Sequence, residues 1–398
     1  MSALHVAQPV PPAPDTAAPG AAGTGPAPAE LCVLLTPREI GGHEAALLGW
    51  LADAVRLHGL RPRITAPTPA LAEACRAAGL GACLAADTGP GRAALLRVLR
   101  RWPAGTPVLL APGVLHTDAW LLAAALALGR AVWVYVPMAY SARHMGYRHA
   151  ALRDRLLAPC LRHVRLWITV DEAQRRWLHR HWQVPAPALV LPNLPRLAPR
   201  PVPLWQAADD ARLRVCWVGR FDPWQKGLDW LAGLLRDDPH WHAHYRWHFQ
   251  GRGPGELALL ELASALGPQH MQVHAHAPID QALAGSDLLL LPSRYEGVPL
   301  VALEATALGW PVVASRQAGL AALLPAESLF EFGDRAGLDR ALARMRDPAA
   351  RMQAVAHARR QLARLHAPQR YRPALLALVQ HLRSGRQAGP AAAAGRSA

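Results

Sequence analysis

Short apolar runs alternate with longer amphipathic ones along most of the chain. Leu31 to Leu35 is apolar throughout; the loop Thr36 to His43 and the amphipathic stretch Glu44 to Leu57 follow it, an order that predicts strand, loop and helix. Val108 to Leu110, Ala131 to Val136, Trp167 to Val170 and Ala188 to Leu191 read as further buried strands. Helical stretches such as Trp120 to Leu128 and Glu172 to His181 separate them. From Pro192 to about Arg212 the periodicity is lost and prolines accumulate, as in a linker.

A second series then begins. Leu213 to Val218, Trp247 to Gln250, Met271 to His274, Asp287 to Leu291 and Pro311 to Ala314 are strand candidates. They alternate with helices near Gly227 to Leu235, Glu256 to Leu266 and Leu300 to Leu308. The last helical stretches, Leu338 to Leu365 and Tyr371 to Leu382, have no strand between them and are expected to pack across both halves. The pattern predicts an α/β protein of two Rossmann-like domains, each a doubly wound parallel sheet, over 30–195 and 213–366. A linker at 196–212, a crossing helix at 367–383 and Pro/Ala-rich tails at 1–29 and 384–398 complete the expected organisation. Open parallel sheets bind ligands beyond the carboxyl ends of their strands, so the loops of both halves are expected to meet in one cleft.

Composition narrows the function classes. A chain of 398 residues favours two cores of about 150 to 200 residues each. The best candidate for a membrane span, Ala119 to Met138, contains Arg130, and no uncharged apolar run reaches the required length of about 18 residues. The five cysteines are scattered without a C-x-x-C pair, which points away from a disulfide framework or zinc site and towards a reducing cytoplasm. The first 29 residues lack the basic and apolar blocks of a leader. A net charge of +15 attracts phosphates, nucleic acid or anionic lipid, although an arginine-rich coding bias produces the same excess.

Two strand-end loops carry candidate chemistry. Gly219-Arg220-Phe221 through Lys226-Gly227 places a guanidinium and an ammonium together, a pair suited to a diphosphate and to negative charge growing on a leaving nucleotide. Pro292-Ser293 through Glu296-Gly297 precedes a helix that carries Glu304 about one turn in, with backbone N–H groups at the helix N-terminus. A carboxylate in such a loop suits sugar hydroxyls, and one on the helix suits a ribose. Taken singly, the cations fit an ordinary surface and the glutamates fit a capping acid and a plain helix residue.

In combination these segments resemble the donor-binding domain of glycosyltransferase family 4. The order is Gly219-Arg220-Phe221 to Lys226-Gly227, Phe249-Gln250-Gly251-Arg252-Gly253-Pro254, Pro292-Ser293 to Glu304-Ala305, and Gly309-Trp310-Pro311-Val312-Val313-Ala314. The resemblance covers about Leu213 to Asp334. It implies a GT-B fold, a nucleotide-diphosphate sugar as co-substrate, no metal or other cofactor, and transfer with retention at the anomeric carbon. On that basis Arg220 and Lys226 hold the diphosphate, Glu296 the donor sugar and Glu304 the ribose, with Gly219 and the amides of Gly297, Val298 and Leu300 completing the donor contacts. Gly41-Gly42-His43-Glu44 is similar to the family's glycine loop, which brings Gly42 towards the donor phosphate, although a plain turn fits as well. His116, after a strand, is a candidate contact to donor or acceptor. Two positions depart from the pattern: His276 stands where a glycine is usual, and Ala321-Ala322 where an acidic residue is usual. Both bear on base recognition.

The acceptor is expected on the N-terminal side, as a glycan, a glycolipid or a small molecule. Arg143, His144, Arg148, His149, Arg153, Arg155, Arg162, His163 and Arg165 crowd one stretch there, interleaved with Met145, Tyr147, Leu152, Leu156 and Leu157. This suggests peripheral association with an anionic membrane face by a glycan-building enzyme with a lipid-linked acceptor; a solvated helix face is the alternative. Nucleic acid is not an expected partner, since no recognition module or aromatic-basic stacking pattern is present. The missing G-x-G-x-x-G after the first strand disfavours a nicotinamide enzyme. A non-catalytic nucleotide-sugar-binding protein of the same fold and a nucleotide-sugar epimerase stay open as alternatives.

Overall fold

The computed structural model describes residues 30–36, 41–85, 91–102, 106–203 and 212–387; the expected tail at 1–29, the end at 388–398 and parts of the first loop and linker lie outside the described residues. The first half opens with β1 (Glu30–Leu34), α1 (Gly42–His58), β2 (Arg61–Thr65) and α2 (Pro69–Ala77). It continues through α3 (Arg92–Arg101), β3 (Val108–Leu110), α4 (Ala119–Ala127) and β4 (Val132–Tyr135). It ends with α5 (Ala150–Leu161), β5 (Leu166–Thr169), α6 (Glu172–Arg180) and β6 (Ala188–Val190). Its six strands form one parallel sheet in the order β2-β1-β3-β4-β5-β6.

The second half starts with β7 (Leu213–Arg220), α7 (Leu228–Asp237), α8 (His240–His244) and β8 (Tyr245–Arg252). Then come α9 (Glu256–Leu266), β9 (Met271–His274), α10 (Ile279–Leu283) and β10 (Leu288–Leu291). After α11 (Leu300–Leu308), β11 (Val312–Ser315), α12 (Ala318–Leu323) and β12 (Leu329–Phe330), the chain closes with three helices. These are α13 (Arg335–Arg344), α14 (Pro348–Leu365) and α15 (Pro368–Gln387). The second sheet is also parallel and six-stranded, in the order β12-β11-β10-β7-β8-β9.

Central strands are continuously apolar because helices cover both faces of a parallel sheet; all four residues of β10 and of β4 are buried. The strands absent from the sequence pattern, β2 and β12, each lie at one edge of their sheet. In β2, Arg61 and Arg63 point to solvent while Pro62 and Ile64 turn inward, so half-burial breaks the apolar run. β7 runs two residues further than expected because it pairs with β8 along its full length, from Leu213↔Tyr245 to Arg220↔Arg252. Trp217, stacked near Phe221 at 5.4 Å and Phe249 at 6.2 Å, stiffens that strand end.

The expected single helix over 338–365 is two. Asp347 caps the second through its carboxylate, which accepts from the Ala349 N–H at 2.9 Å, and Pro348 sits at the first helical position, where its ring fits but could not continue the helix before it. α15 crosses back to the first half and stays helical to Gln387, past the expected end at 383. Its Tyr371 hydroxyl donates to Asp53 on α1 at 2.8 Å, and Arg383 donates to the His58 carbonyl. An apolar cluster runs from Leu47 and Leu51 on α1 through Leu375 and Val379 on α15 to Leu300 and Leu303 on α11, joining the halves.

Candidate active site

Each sheet has one place where the strand order reverses direction, and there the neighbouring loops part to leave a crevice. In the second sheet it lies between β7 and β10, which pair as Leu288↔Val215 and Leu289↔Cys216. In the first it lies between β1 and β3. The loops singled out by the sequence are the ones that leave these four strands.

Beyond β7, Arg220 is half exposed and donates to Asp222 and to Gln225, both at 3.2 Å. Lys226 is turned inward and forms an ion pair with Glu296. Gly227 ends the loop at φ 67°, and a Cβ there would meet the Pro292 carbonyl at 2.0 Å, so only glycine brings the two loops this close. Beyond β10, Glu296 is buried and also accepts from the Ser293 hydroxyl at 3.0 Å. Gln317 holds the loop from behind, donating to the Arg294 carbonyl at 3.0 Å. Arg294 braces its outer side with two bonds to Asp229, at 2.6 and 2.8 Å, while its guanidinium lies 3.8 Å from the Trp224 ring. Pro299 offers α11 no capping side chain, which leaves the positive end of that helix to an anion.

The first half presses on this loop from the other side. The Tyr140 hydroxyl donates to the Glu296 carbonyl at 3.1 Å, Asn193 donates to the Val298 carbonyl at 3.0 Å, and the Trp224 indole donates to the Met145 carbonyl at 3.0 Å. Tyr147 and Tyr295 share a hydroxyl contact at 3.1 Å, and burial pushes the Tyr295 phenol up, so it stays protonated. Gly42 faces Leu300 across the cleft, where a Cβ would lie 3.8 Å from the Leu300 side chain. Glu44 serves its own helix by accepting the Gly41 N–H at 2.7 Å.

Thus the loops carrying Arg220, Lys226, Glu296, Gly297, Val298 and Leu300 and the start of α1 at Gly42 come together, with Gly219 near the end of β7. His116 is not among them. Its side chain is 4% exposed, its Nε2 lies 3.1 Å from Asp154, and the rings of Tyr147 and Trp182 flank it. Burial lowers its pKa and favours the neutral ring. Tyr140, Asn193, Ser293 and Gln317 are the parts local spacing did not single out. Of these only Ser293 stands in a segment quoted for the family resemblance. His276 and Ala321-Ala322 are exposed.

Glu304 is one turn inside α11 as expected, 3% exposed, but Arg196 from the segment after β6 covers it with an Nε–Oε1 bond of 2.6 Å. Arg196 is 59% exposed, and a pair screened this way is worth at most about 1 kcal/mol. A ligand hydroxyl that reaches Glu304 can displace it cheaply. Glu304→Ala is therefore expected to weaken nucleotide binding about tenfold, the loss of a charge-assisted hydrogen bond. Arg196→Ala should leave binding within about threefold or tighten it; calorimetric titration with free nucleotide compares the two. Equal losses in both variants would instead make Arg196 a ligand contact.

Residues 212–358 match the family described as Glycosyl transferases group 1. A stretch of 141 residues is 33% identical to glycogen synthase of Paracidovorax citrulli (strain AAC00-1), covering 33% of this chain and 25% of that protein. The match thus spans a quarter of that relative. Among solved structures, Anabaena Alr3699/HepE in complex with UDP-glucose is similar over 88% of this chain and 99% of its own, at 15% identity and a TM-score of 0.66. Sucrose-phosphate synthase from Thermosynechococcus elongatus is similar over 89% of this chain and 98% of its own, at 18% identity and a TM-score of 0.62. The two facing parallel sheets with a returning C-terminal helix are the GT-B fold.

Proposed function

We propose that the chain is a retaining, metal-independent glycosyltransferase of family 4 that moves a sugar from a nucleotide-diphosphate donor to a glycan, glycolipid or small-molecule acceptor. The observation that carries this reading is the ion pair of Lys226 with Glu296 at the reversal point of the second sheet, beside Arg220 and the uncapped start of α11. The group 1 match over 212–358 and the UDP-glucose bound by the similar Anabaena protein support it.

Before the donor arrives, the two opposite charges satisfy one another. A diphosphate is a better partner for Lys226 than one carboxylate, because it offers more oxygens and more charge; once Lys226 turns to it, Glu296 is left to accept hydrogen bonds from the sugar. Arg220 and Lys226 then face the charge that develops on the leaving nucleotide, which is the role a divalent ion plays in metal-dependent transferases. On the retaining path the acceptor oxygen forms its bond to the anomeric carbon on the face the phosphate leaves. The acceptor proton passes to the departing phosphate oxygen. No side-chain nucleophile is needed, and Glu296 serves to position the sugar.

Incubation of the purified chain with UDP-, GDP-, ADP- and dTDP-sugars tests the proposal. The matching donor is expected to raise the melting temperature, since saturation at about 100 times Kd adds about 2.7 kcal/mol, and to release free nucleotide slowly with water as acceptor. Nuclear magnetic resonance of the transfer product should show the donor's anomeric configuration. Tight nucleotide binding with no turnover across a broad acceptor panel would sink the enzymatic reading, and an inverted product the retaining one.

A further inference from the structure

The basic stretch between residues 143 and 165 has no role in the donor site, yet α5 gives it a definite shape. On a helix of 3.6 residues per turn, Leu152, Leu156 and Pro159 fall in one arc, with Arg155 and the C-cap Arg162 along one border and Arg153 on the other, while Arg148 and His149 lie in the turn that leads into the helix. Leu152 is 58% exposed and Leu156 68% exposed. Leu157 and Leu161, on the opposite side, are buried in the core of the first half. The single acidic residue of the stretch, Asp154, is turned inward, where its carboxylate accepts from the Ala142 N–H at 2.7 Å and sits beside His116. None of Arg143, Arg148, Arg153, Arg155, Arg162 and Arg165 forms an ion pair with a described residue.

An apolar centre bordered by exposed arginines, Arg155 and Arg162 on one side and on the other Arg153, whose guanidinium lies 5.4 Å from the centre of the Tyr147 ring, is the complement of an anionic bilayer surface: leucines enter the acyl boundary while arginines meet phosphates. Exposed leucine alone does not define such a face. On α9, Leu257 and Leu260 are also exposed, but Glu256 and Glu261 stand beside them and that helix carries no basic residue. Nucleic acid would use the arginines and leave the two leucines in water. We propose that the exposed face of α5 docks the protein on an anionic lipid leaflet.

The position of the face gives the docking a purpose. The segment between β4 and α5 carries Tyr140, Met145 and Tyr147, whose bonds reach Glu296, Trp224 and Tyr295. A leaflet against α5 therefore lies at the rim of the cleft, and an acceptor whose sugar or hydroxyl is carried on a lipid meets the donor there. That last step rests on the transferase reading; the docking itself does not.

Co-sedimentation with vesicles, which needs no donor, separates the two. The full chain is expected to bind phosphatidylcholine vesicles containing about 30% phosphatidylglycerol and to bind pure phosphatidylcholine at least about tenfold more weakly. Leu152→Glu with Leu156→Glu should lower binding to the anionic vesicles at least about tenfold without changing the melting temperature, since both side chains are solvent-exposed. Arg155→Glu with Arg162→Glu should do the same and remove the salt dependence these residues supply. Equal binding to neutral vesicles, full binding by the leucine double variant, or binding to a DNA duplex but not to vesicles would overturn the proposal. Vesicle binding without any nucleotide release would leave docking intact and remove the transferase reading.

Discussion

Lys226→Ala is expected to lower the rate of donor cleavage about 10²- to 10³-fold, the range associated with removing one preorganised group that stabilises developing charge. Two effects are superimposed. On the proposed mechanism the leaving nucleotide loses a cation, and Glu296 loses its partner while Ser293 still donates to it. Glu296 is 7% exposed at its side chain, so the second effect costs the fold about 1 to 3 kcal/mol. The double variant Lys226→Ala/Glu296→Gln separates them. The neutral amide no longer needs a counter-charge, so thermal stability should return towards the parent value while cleavage stays low. Activity that recovers together with stability would assign Lys226 a purely structural role. Cleavage by Lys226→Ala within about threefold of the parent would remove the diphosphate from this loop altogether.

The central strands and the two reversal-point loops were legible in the sequence because each is a local signal. An apolar run ends, a glycine allows a tight exit, charged residues follow, and a helix begins. Two of the four edge strands were not, because β2 keeps Arg61 and Arg63 in water and β12 is only two residues long. The break between α13 and α14 was legible in principle from Asp347-Pro348, a capping acid followed by a proline that no continuous helix accommodates.

The site divided along similar lines. Arg220, Lys226 and Glu296 follow one another in strand-end loops, and the spacing of Glu304 from Glu296 places it on the helix. What surrounds them is long-range. Tyr140 and Asn193 reach the Glu296 loop from 156 and 105 residues away, and Arg196 reaches Glu304 from 108. No periodicity records such contacts, since they arise only when the two halves meet. His116 follows a strand end in the expected place, and what sequence spacing does not record is that its side chain is enclosed by Asp154 and the ring of Tyr147.

The meeting of the halves is itself testable at Gly297. A Cβ on this residue would lie 2.4 Å from the Pro137 carbonyl oxygen and 3.2 Å from its carbon, backbone atoms of the opposite half that cannot turn aside as a side chain would. Gly297→Ala keeps the backbone amide and adds only that methyl group. The halves are expected to stand apart by a fraction of an ångström to an ångström at the cleft, a displacement that costs about 10²-fold in turnover where acceptor and donor must be aligned. Nucleotide affinity should change by less than about threefold, because Arg220, Lys226 and Glu304 all belong to the second half. Within the apolar cluster joining α1, α15 and α11 the methyl group's nearest neighbour is Val170, at 3.4 Å, so the melting temperature should fall only slightly. Transfer kinetics alongside calorimetric nucleotide binding read the two effects separately. Unchanged transfer would show that the loop reacts without closing on Pro137. A matching collapse of nucleotide affinity would place the constraint inside the donor site, in the conformation of the loop from Glu296 to Leu300, and not between the halves.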